Sequence, residues 1–331
     1  MSLDSFICHE SATLGFAAIG FAAAGPSQTC ARFNAWLSRG YAGGMTYLAR
    51  HALLRADPRR IMPEARSVIV VAARYPATAQ IQPFSNYARG RDYHDVLRGK
   101  LKQLTRSLAA QSGIPLHSRI CVDSAPVLER EWAVRAGLGW IGKQGSLVNP
   151  DHGCTLFLGE LFVNLELTPS LPVPSKCGNC RRCVDACPTG AIQPDGFVDA
   201  RRCIAYLTIE HKGEIPEDLR PLVGSSLFGC DRCTAVCPFN PVGDAAILPE
   251  FSCLGRSASG GNPAGTPMPT AEQCLAMRED DFQKKFRGTV VCRSGLARLQ
   301  RNAAAVQPSG LVASHSAIPT DIRANNFTCG L

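Results

Sequence analysis

The stretch that decides the fold is Cys177-Gly178-Asn179-Cys180-Arg181-Arg182-Cys183-Val184-Asp185-Ala186-Cys187-Pro188. A second run, Cys230-x2-Cys233-x3-Cys237-Pro238, follows it, and Cys203 lies between the two runs. The chain holds sixteen cysteines in 331 residues. Disulfide-dense chains are typically short secreted domains, so this count in a longer chain indicates metal ligation instead.

The spacing of the first run is that of bacterial ferredoxins, which carry four-iron four-sulfur (4Fe–4S) clusters. Three closely spaced cysteines hold three corners of one cubane, while the fourth, followed by proline, binds the neighbouring cluster. The ligands predicted for the first cluster are Cys177, Cys180, Cys183 and Cys237. The ligands predicted for the second cluster are Cys187, Cys203, Cys230 and Cys233.

Zinc is the alternative metal, because paired Cys-x2-Cys motifs often bind it. Four cysteines in one x2, x2, x3 run before a proline are, however, a poor tetrahedral site. The remaining eight cysteines lack ligand spacing and are expected to be ordinary small side chains. They are Cys8, Cys30, Cys121, Cys154, Cys253, Cys274, Cys292 and Cys329.

The composition is that of a globular chain long enough for two domains, with 45% apolar and 19% charged residues. The longest apolar stretch, Leu14–Gly25, is shorter than the roughly 20 residues that span a bilayer. Acidic residues, not basic ones, precede it, so it does not resemble a secretory signal. We expect a cytoplasmic protein with no membrane partner. The net charge of +8 suits a polyanion such as RNA, or solubility alone.

The first half of the chain predicts alternating strands and helices. Strands are expected at Ser67–Ala73, which is apolar enough to be buried on both faces, at Thr155–Val163 and at Gly15–Ala23. A helix should begin near Asp92 and bury one stripe. That stripe consists of Leu97, Leu101, Leu104 and Leu108. A second helix is expected directly after Asp123 and Ser124.

The second half predicts a linker at Leu171–Pro174, the cysteine-rich segment, a loose connection over residues 255–269 and helix over residues 270–306. The last 25 residues show no periodicity and are expected to be poorly ordered. Two neighbouring clusters form a path for electrons, which requires a terminal acceptor. The chain has no nucleotide-binding glycine motif, so the acceptor should lie among residues 1–165.

Several stretches over residues 10–245, with a weaker trace to Ala305, resemble the epoxyqueuosine reductases. These are cobalamin-dependent iron–sulfur enzymes of queuosine biosynthesis. The most specific stretches are Val122–Arg130 (VDSAPVLER) and Ala136–Lys143 (AGLGWIGK). The others, besides the cysteine pattern, are Met45–Leu48, Arg55–Arg59, Asp92–His94, Phe157–Leu161 and Phe228–Asp231.

The resemblance implies an α+β fold in three parts. Residues 1–168 would form an α/β cobalamin-binding catalytic domain, and residues 169–254 a ferredoxin-like domain with two 4Fe–4S clusters. Residues 255–331 would hold a linker, a truncated helical-repeat remnant and a disordered tail. The implied reaction reduces the epoxide of epoxyqueuosine in tRNA to the alkene of queuosine, with two electrons, two protons and release of water. The implied partners are tRNA and a low-potential electron donor protein, and the chain would act as a monomer.

The resemblance also implies residue roles. Asp123 would be the proton donor, which requires a raised pKa, as burial beside the corrin provides; its alternative role is a helix N-cap. The residues expected to contact cobalamin are Arg55, Tyr93, His94, Gly142, Lys143 and Lys212. His94 is alternatively a core histidine. Glycines are expected to let backbone approach the macrocycle closely, or alternatively to end helices and form turns. They are Gly139, Gly142 and Gly145.

One absent motif and one group of arginines refine this interpretation. The motif Asp-x-His-x-x-Gly is absent, so no histidine is expected to replace the dimethylbenzimidazole of cobalamin. Arginines give the C-terminal remnant a basic character suited to phosphate contacts. They are Arg287, Arg293, Arg298 and Arg301.

Two other functions remain as alternatives. Reductive dehalogenases pair cobalamin with two similar clusters, but they normally carry a twin-arginine export signal, which this sequence lacks. A non-catalytic electron-transfer protein would bind neither cobalamin nor RNA. The large first domain argues against such a carrier, because a carrier needs only the cysteine-rich segment.

Overall fold

The structure is a computed structural model that describes residues 2–77, 81, 83–240, 247–251 and 267–306. Six strands are present in these ranges. They are β1 (Ala18–Ala23), β2 (Ser67–Arg74), β3 (Ser118–Cys121), β4 (Trp140–Ile141), β5 (Leu147–Val148) and β6 (Leu156–Val163). No helix among the described residues is long and apolar enough to cross a membrane.

The helices are mostly short. In the first half they are α1 (Leu3–Thr13), α2 (Cys30–Ser38), α3 (Thr46–Arg50), α4 (Ala52–Arg55), α5 (Tyr93–Gln111) and α6 (Glu129–Arg135). In the second half they are α7 (Arg182–Asp185), α8 (Ile204–Ile209), α9 (Arg220–Val223), α10 (Arg232–Ala235), α11 (Ala271–Leu275), α12 (Glu279–Phe286) and α13 (Leu296–Ala305).

Four strands form the central sheet in the order β1-β2-β6-β3, and every neighbouring pair is antiparallel. The N-terminal part is therefore not an α/β domain with a parallel sheet, and that part of the expected fold class was wrong. A buried apolar run does not distinguish the two pairings, because both faces of an antiparallel sheet are covered here. The mixed helix-and-sheet class was correct.

The sheet is covered by helices on both faces. Every residue of β2 is buried, and alternate side chains enter two different cores. Ile69 and Val71 pack with α1 and α5, while Val68 and Val70 pack with α6. The predicted stripe on α5 is confirmed, since all four leucines are fully buried. They are Leu97, Leu101, Leu104 and Leu108.

The cysteine-rich segment consists of tight turns and the short helices α7 and α10, which pack together. The β4–β5 hairpin lies beside it, and Trp140 packs against Phe239 with the ring planes 84° apart. After the hairpin of Ile192 and Val198, α8 carries a buried face of its own.

The C-terminal helices are firmly packed. Thr270 begins α11 with a capping box, as the predicted helical stretch requires. Phe282, Phe286 and Leu299 enter a core with Phe84 and Phe228. Asn302 is fully buried and donates to the carbonyls of Thr208 and Leu227, each at 2.8 Å.

One predicted helix begins later than expected, and two predicted segments lie mostly or wholly outside the described residues. The helix predicted directly after Ser124 begins only at Glu129, so residues 123–128 form a turn. Most of the predicted loose connection, residues 255–266, and the predicted tail from residue 307 lie outside the described residues.

Candidate functional site

The centre of the candidate site is the turn that follows β3. Asp123 has φ +57°, the one positive φ outside glycine among the described residues. Left-handed backbone is costly for most side chains and less so for aspartate. Asp123 is therefore part of a strained turn, and its alternative role as a helix N-cap is contradicted. Strain of this kind persists only where surrounding contacts impose it.

Four side chains from other elements hold this turn. The backbone N–H of Asp123 donates to Glu129 Oε1 at the start of α6. The buried Arg55 donates through Nη1 to the carbonyls of Ala125 and Val127, both at 3.3 Å. From α5, Arg98 donates to Ser124 Oγ at 2.7 Å, and His94 contacts the carboxylate of Asp123.

A chain of charged groups runs from the Asp123 carboxylate into the protein. His94 Nε2 lies 3.0 Å from Asp123 Oδ2, and His94 Nδ1 lies 2.6 Å from Asp92 Oδ1. Arg293 Nε donates to Asp92 Oδ2 at 2.6 Å. The His94 ring stacks on Tyr93, whose other face stacks on Phe157 at 4.3 Å between ring centroids. The orientation of the His94 ring is therefore fixed by stacking on Tyr93 and by its hydrogen bonds to Asp123 and Asp92.

The electrostatics around His94 favour the protonated ring. Burial lowers the pKa of His94, but the hydrogen bonds to Asp123 and Asp92 outweigh burial and raise it. Burial is the largest effect and raises the pKa of Asp123, but the hydrogen bonds of His94 and Tyr93 and the charges of His94 and Arg130 together outweigh it, so the pKa is held below its usual value. The raised pKa expected of Asp123 beside the corrin stays a prediction. Its side chain is 55% exposed, so water still stabilises the charge.

Asp123 and His94 line a cavity of about 550 Å³, within the usual range for ligand pockets. Its walls combine aromatic rings, namely Tyr87, Tyr93, Tyr206 and Phe228, with apolar and polar groups. The cavity reaches from the Asp123 turn to α8 and to the C-terminal segment. The remaining lining residues are Met45, Ser124, Ala205, Ile209, Glu210, Val290, Arg293, Ser294 and Arg298.

The eight predicted cluster ligands are free thiols of intermediate burial. Burial raises the pKa of Cys183, and three nearby thiols raise it further. These are Cys177, Cys180 and Cys237. Burial likewise raises the pKa of Cys233, followed by effects of the thiols of Cys230, Cys203 and Cys187 and a lesser effect of Cys183. The thiols lie near one another, and this donor set fits two 4Fe–4S clusters. The division into two sets of four stays a prediction.

No group of three or more His, Cys, Asp or Glu in the described ranges is arranged to hold a single metal ion. Other groups contact the thiols directly. Trp140 Nε1 donates to Cys177 Sγ at 3.3 Å, and the N–H of Ala191 donates to Cys187 Sγ at 3.3 Å. Cys154, expected to be an ordinary small residue, is buried and lowers the pKa of Cys237 to about 7 through a hydrogen bond.

The residues expected to contact cobalamin are divided between three places. Tyr93 and His94 line the cavity. Arg55 holds the Asp123 turn instead. Lys143 donates to the carbonyls of Gly178 at 2.8 Å and Cys180 at 2.7 Å, so it supports the first cysteine loop.

The other predicted glycine and lysine positions have local roles. A side chain at Gly142 would meet Gln144 Oε1 at 2.3 Å, so Gln144 would have to move to make room for it. Lys212 is exposed just beyond α8. Burial raises the pKa of Glu210, and the charge of Lys212 partly offsets this effect. Glu210 lines the cavity, which places Lys212 near its rim.

Three of the four C-terminal arginines that were expected to contact phosphates make internal hydrogen bonds. Arg301 donates to the carbonyls of Leu207 at 2.6 Å and His211 at 3.1 Å. Arg298 donates to the carbonyl of Ile209, and Arg293 to Asp92. The expectation overlooked these acceptors because they are distant in sequence. Arg293 and Arg298 nevertheless line the cavity.

Two acidic residues near the site had no predicted role. Glu129 accepts the Asp123 N–H, and burial followed by the charge of Asp123 raises its pKa to about 7. Glu160 in β6 is fully buried. Glu160 could have been recognised from the sequence, because it is a carboxyl side chain in the otherwise apolar strand β6 (LFLGELFV).

Two family profiles match the chain. One described as "Epoxyqueuosine reductase QueG, DUF1730" matches residues 55–124, and one described as "4Fe-4S double cluster binding domain" matches residues 176–240. The epoxyqueuosine reductase of Escherichia coli is 40% identical over 303 residues, which cover 88% of this chain and 77% of that protein. That of Alicycliphilus denitrificans is 39% identical over 322 residues, which cover 92% and 86%.

Solved structures show the same likeness. A crystal structure of an epoxyqueuosine reductase with an epoxyqueuosine-modified tRNA-Tyr stem loop has a TM-score of 0.80 at 30% identity, and covers 92% of this chain and 80% of that one. The structure of the Streptococcus thermophilus epoxyqueuosine reductase has a TM-score of 0.75 at 28% identity, with the same coverage.

Proposed function

The chain belongs to the epoxyqueuosine reductase family, and we propose that it reduces epoxyqueuosine to queuosine in tRNA by moving a proton through His94 and Asp123. The resemblance inferred from sequence motifs is thereby confirmed. The observation that carries the proposed mechanism is the Asp92–His94–Asp123 chain, which ends in an exposed carboxylate in the cavity. The chain is an oxidoreductase with a domain for two 4Fe–4S clusters.

The reaction removes the epoxide oxygen as water and therefore takes up two electrons and two protons. The leaving oxygen must be protonated, and a carboxylic acid within hydrogen-bond reach does this efficiently. Asp123 holds that position at the cavity wall. The hydrogen bonds of His94 to Asp123 and Asp92 raise its pKa, which favours a proton on the ring between the two carboxylates.

Binding of substrate changes this balance. A ligand that covers Asp123 removes water from a carboxylate that is 55% exposed. Loss of water disfavours the charged carboxylate and raises its pKa. The proton then moves from His94 Nε2 to Asp123 Oδ2, from which it is delivered to the epoxide oxygen. The neutral imidazole that remains keeps its Nδ1 hydrogen bond to Asp92, so Nε2 can accept a second proton.

Cobalamin is the proposed cofactor, and when bound and reduced it supplies the strong two-electron reductant that deoxygenation requires. The residues present fit it, because Tyr87, Tyr206 and Phe228 bring aromatic rings to the cavity wall. Ala205 and Tyr206 follow Cys203 by two and three residues and line the same cavity. A ligand predicted for the second cluster therefore lies close in sequence to the cavity wall.

The remaining proposals concern partners and location. We propose that tRNA is the substrate, that a low-potential protein delivers electrons and that the chain acts as a monomer in the cytoplasm. The tRNA-bound relative supports the first of these.

The test is anaerobic reconstitution with iron, sulfide and cobalamin, followed by reductant and tRNA bearing epoxyqueuosine. Nucleoside mass spectrometry should show loss of one oxygen from the base, with about eight irons bound per chain. Conversion must depend on added cobalamin. Full conversion without cobalamin would contradict the proposed cofactor, and an absence of conversion in the fully loaded protein would contradict the proposed reaction.

A further inference from the structure

A short segment before α5, residues 83–87, is bonded along its length to the second cysteine loop, residues 227–237. The N–H of Phe228 donates to the Pro83 carbonyl at 3.1 Å. In the opposite direction, the N–H of Ser85 donates to the Phe228 carbonyl at 2.8 Å. The main chain of the cysteine loop is therefore attached to the N-terminal part of the protein.

The side chain of Asp231 completes this attachment. Asp231 is 7% exposed, and its two carboxyl oxygens are both used as acceptors. Oδ1 accepts from Ser85 Oγ, and Oδ2 accepts from the N–H of Asn86 at 2.7 Å. Both donors belong to buried residues, so loss of the acceptor would leave them without a partner, which is costly.

Gly229 permits the close approach of the two segments. Its φ is +77°, and a side chain there would meet Ser85 Cβ at 2.5 Å and Tyr87 Cε1 at 3.4 Å. The N–H of Gly229 donates to Thr208 Oγ1 at 3.0 Å. Thr208 is fully buried in α8, the helix that follows Cys203. The second cysteine loop is therefore held from two sides.

These contacts connect proposed cluster ligands with the cavity wall. Asp231 directly follows Cys230 and precedes Cys233 by two residues. Phe228, two residues before Cys230, lines the cavity together with Tyr87. The two aromatic rings lie 6.2 Å apart between centroids. The residues that Asp231 holds in place thus join the loop of the second cluster to the cavity.

We infer that Asp231 is a positioning residue for electron transfer. By holding the second cysteine loop against residues 83–87, it fixes the distance between the second cluster and a cofactor in the cavity. The inference rests on the proposed function, which supplies both groups. In this step a single electron leaves the reduced second cluster, which is oxidised, and reduces cobalamin. Because electron transfer slows steeply with distance, a loop released from Asp231 should transfer the electron more slowly.

The test follows this electron in the tRNA-free holoprotein. A photoreduced flavin reduces the clusters in a short light pulse, and absorbance then follows the reduction of cobalamin. The phase whose rate is independent of the flavin concentration reports internal transfer. Asparagine has one acceptor oxygen where the carboxylate has two, so Asp231→Asn should slow this phase several-fold. Hydrogen exchange should also show loss of protection at the Asn86 amide.

Two further variants separate position from charge. Ser85→Ala removes the hydroxyl that donates to Asp231 but leaves the charge beside the second cluster unchanged. It should slow internal transfer without changing the reduction potential of the second cluster. Asp185→Asn is the matched control, because Asp185 is an acid in the first cysteine run whose side chain is 63% exposed and contacts Arg181. It should leave internal transfer unchanged.

The outcomes distinguish this inference from the proposed reaction. An unchanged transfer rate in both Asp231→Asn and Ser85→Ala overturns the inference, as does unchanged protection of the Asn86 amide in Asp231→Asn. Slower transfer in Asp231→Asn alone, together with a shifted potential of the second cluster, also overturns it, because the charge and not the position would then matter. Slower transfer in both variants, in a protein that does not reduce epoxyqueuosine, supports the inference and contradicts the proposed reaction.

Discussion

Asp92→Asn tests how the proton on His94 is held. Asp92 is buried, accepts from His94 Nδ1 at 2.6 Å and begins α5 as its N-cap. Asparagine is nearly isosteric and retains N-capping ability, so the helix should be preserved. The substitution removes the negative charge on one side of the imidazolium and leaves the contact with Asp123 in place.

The magnitude follows from this hydrogen bond. A hydrogen bond between charged groups contributes about 1.5–3 kcal/mol, and one pKa unit corresponds to about 1.4 kcal/mol. The raised pKa of His94 should therefore fall by about one to two units. A proton held by a raised pKa is bound at low pH and lost as pH rises through the folded-state value. The rate at pH 8 should fall about tenfold or more, while the rate at pH 6 changes much less.

The assay is the pH profile of kcat/KM, combined with titration of His94 by NMR in the cluster-free chain. Asp95→Asn is the control, because Asp95 is an exposed acid in the same first turn. It should leave both measurements unchanged. A His94 titration that is the same in Asp92→Asn and the unchanged chain would refute the proposed proton store.

Three further predictions concern the cluster loops and the C-terminal helices. Trp140→Phe removes the N–H donated to Cys177. Because a hydrogen bond of about 1 kcal/mol is lost, the reduction potential of the first cluster, measured by EPR titration, should fall by about 40 mV. An unchanged potential would contradict this prediction. Lys143→Met loses the hydrogen bonds of Lys143 to two carbonyls of the first cysteine loop. The visible absorbance of the clusters should therefore bleach several-fold faster when an iron chelator is added. Equal bleaching rates would show that Lys143 does not stabilise this loop. Arg301→Met loses the hydrogen bonds of Arg301 to main-chain carbonyls. The free energy of local opening of α13, measured by hydrogen exchange, should therefore fall by about 3 kcal/mol. Unchanged protection of α13 would refute this anchoring role.

The features predicted correctly from sequence depend on local spacing. The leucine stripe of α5 follows from helical periodicity, since Leu97 and Leu101 occupy one face whatever lies opposite. The double-cluster domain was recognisable from the short spacing of the cysteines and the proline after each run. β2 was recognisable because the seven consecutive residues Ser67–Ala73 are suited to burial.

The features that were missed depend on contacts between distant residues. A buried apolar run does not reveal whether its neighbours are parallel, so the antiparallel sheet could not be predicted from β2 alone. The turn at Asp123 is imposed by Arg55 and Glu129, and no local pattern marks a left-handed aspartate. Arg301 is a residue type that often contacts phosphates, but the carbonyls that accept its hydrogen bonds lie about 90 residues earlier in the chain.

The most direct test of the central claim is single turnover by Asp123→Asn. Asparagine tolerates left-handed backbone and keeps the N–H that Glu129 accepts, so the turn should persist. Ser124→Ala is the control in the same turn, since it removes a neighbouring side chain without changing the charge in the cavity. Iron content, cobalamin binding and tRNA affinity are measured in parallel with epoxide reduction.

Loss of the carboxylate should lower the rate of epoxide reduction by at least about 100-fold, while cofactor and tRNA binding remain those of the unchanged chain. Reduction by Asp123→Asn at the rate of the unchanged, equally loaded chain would contradict the claim that Asp123 delivers the proton.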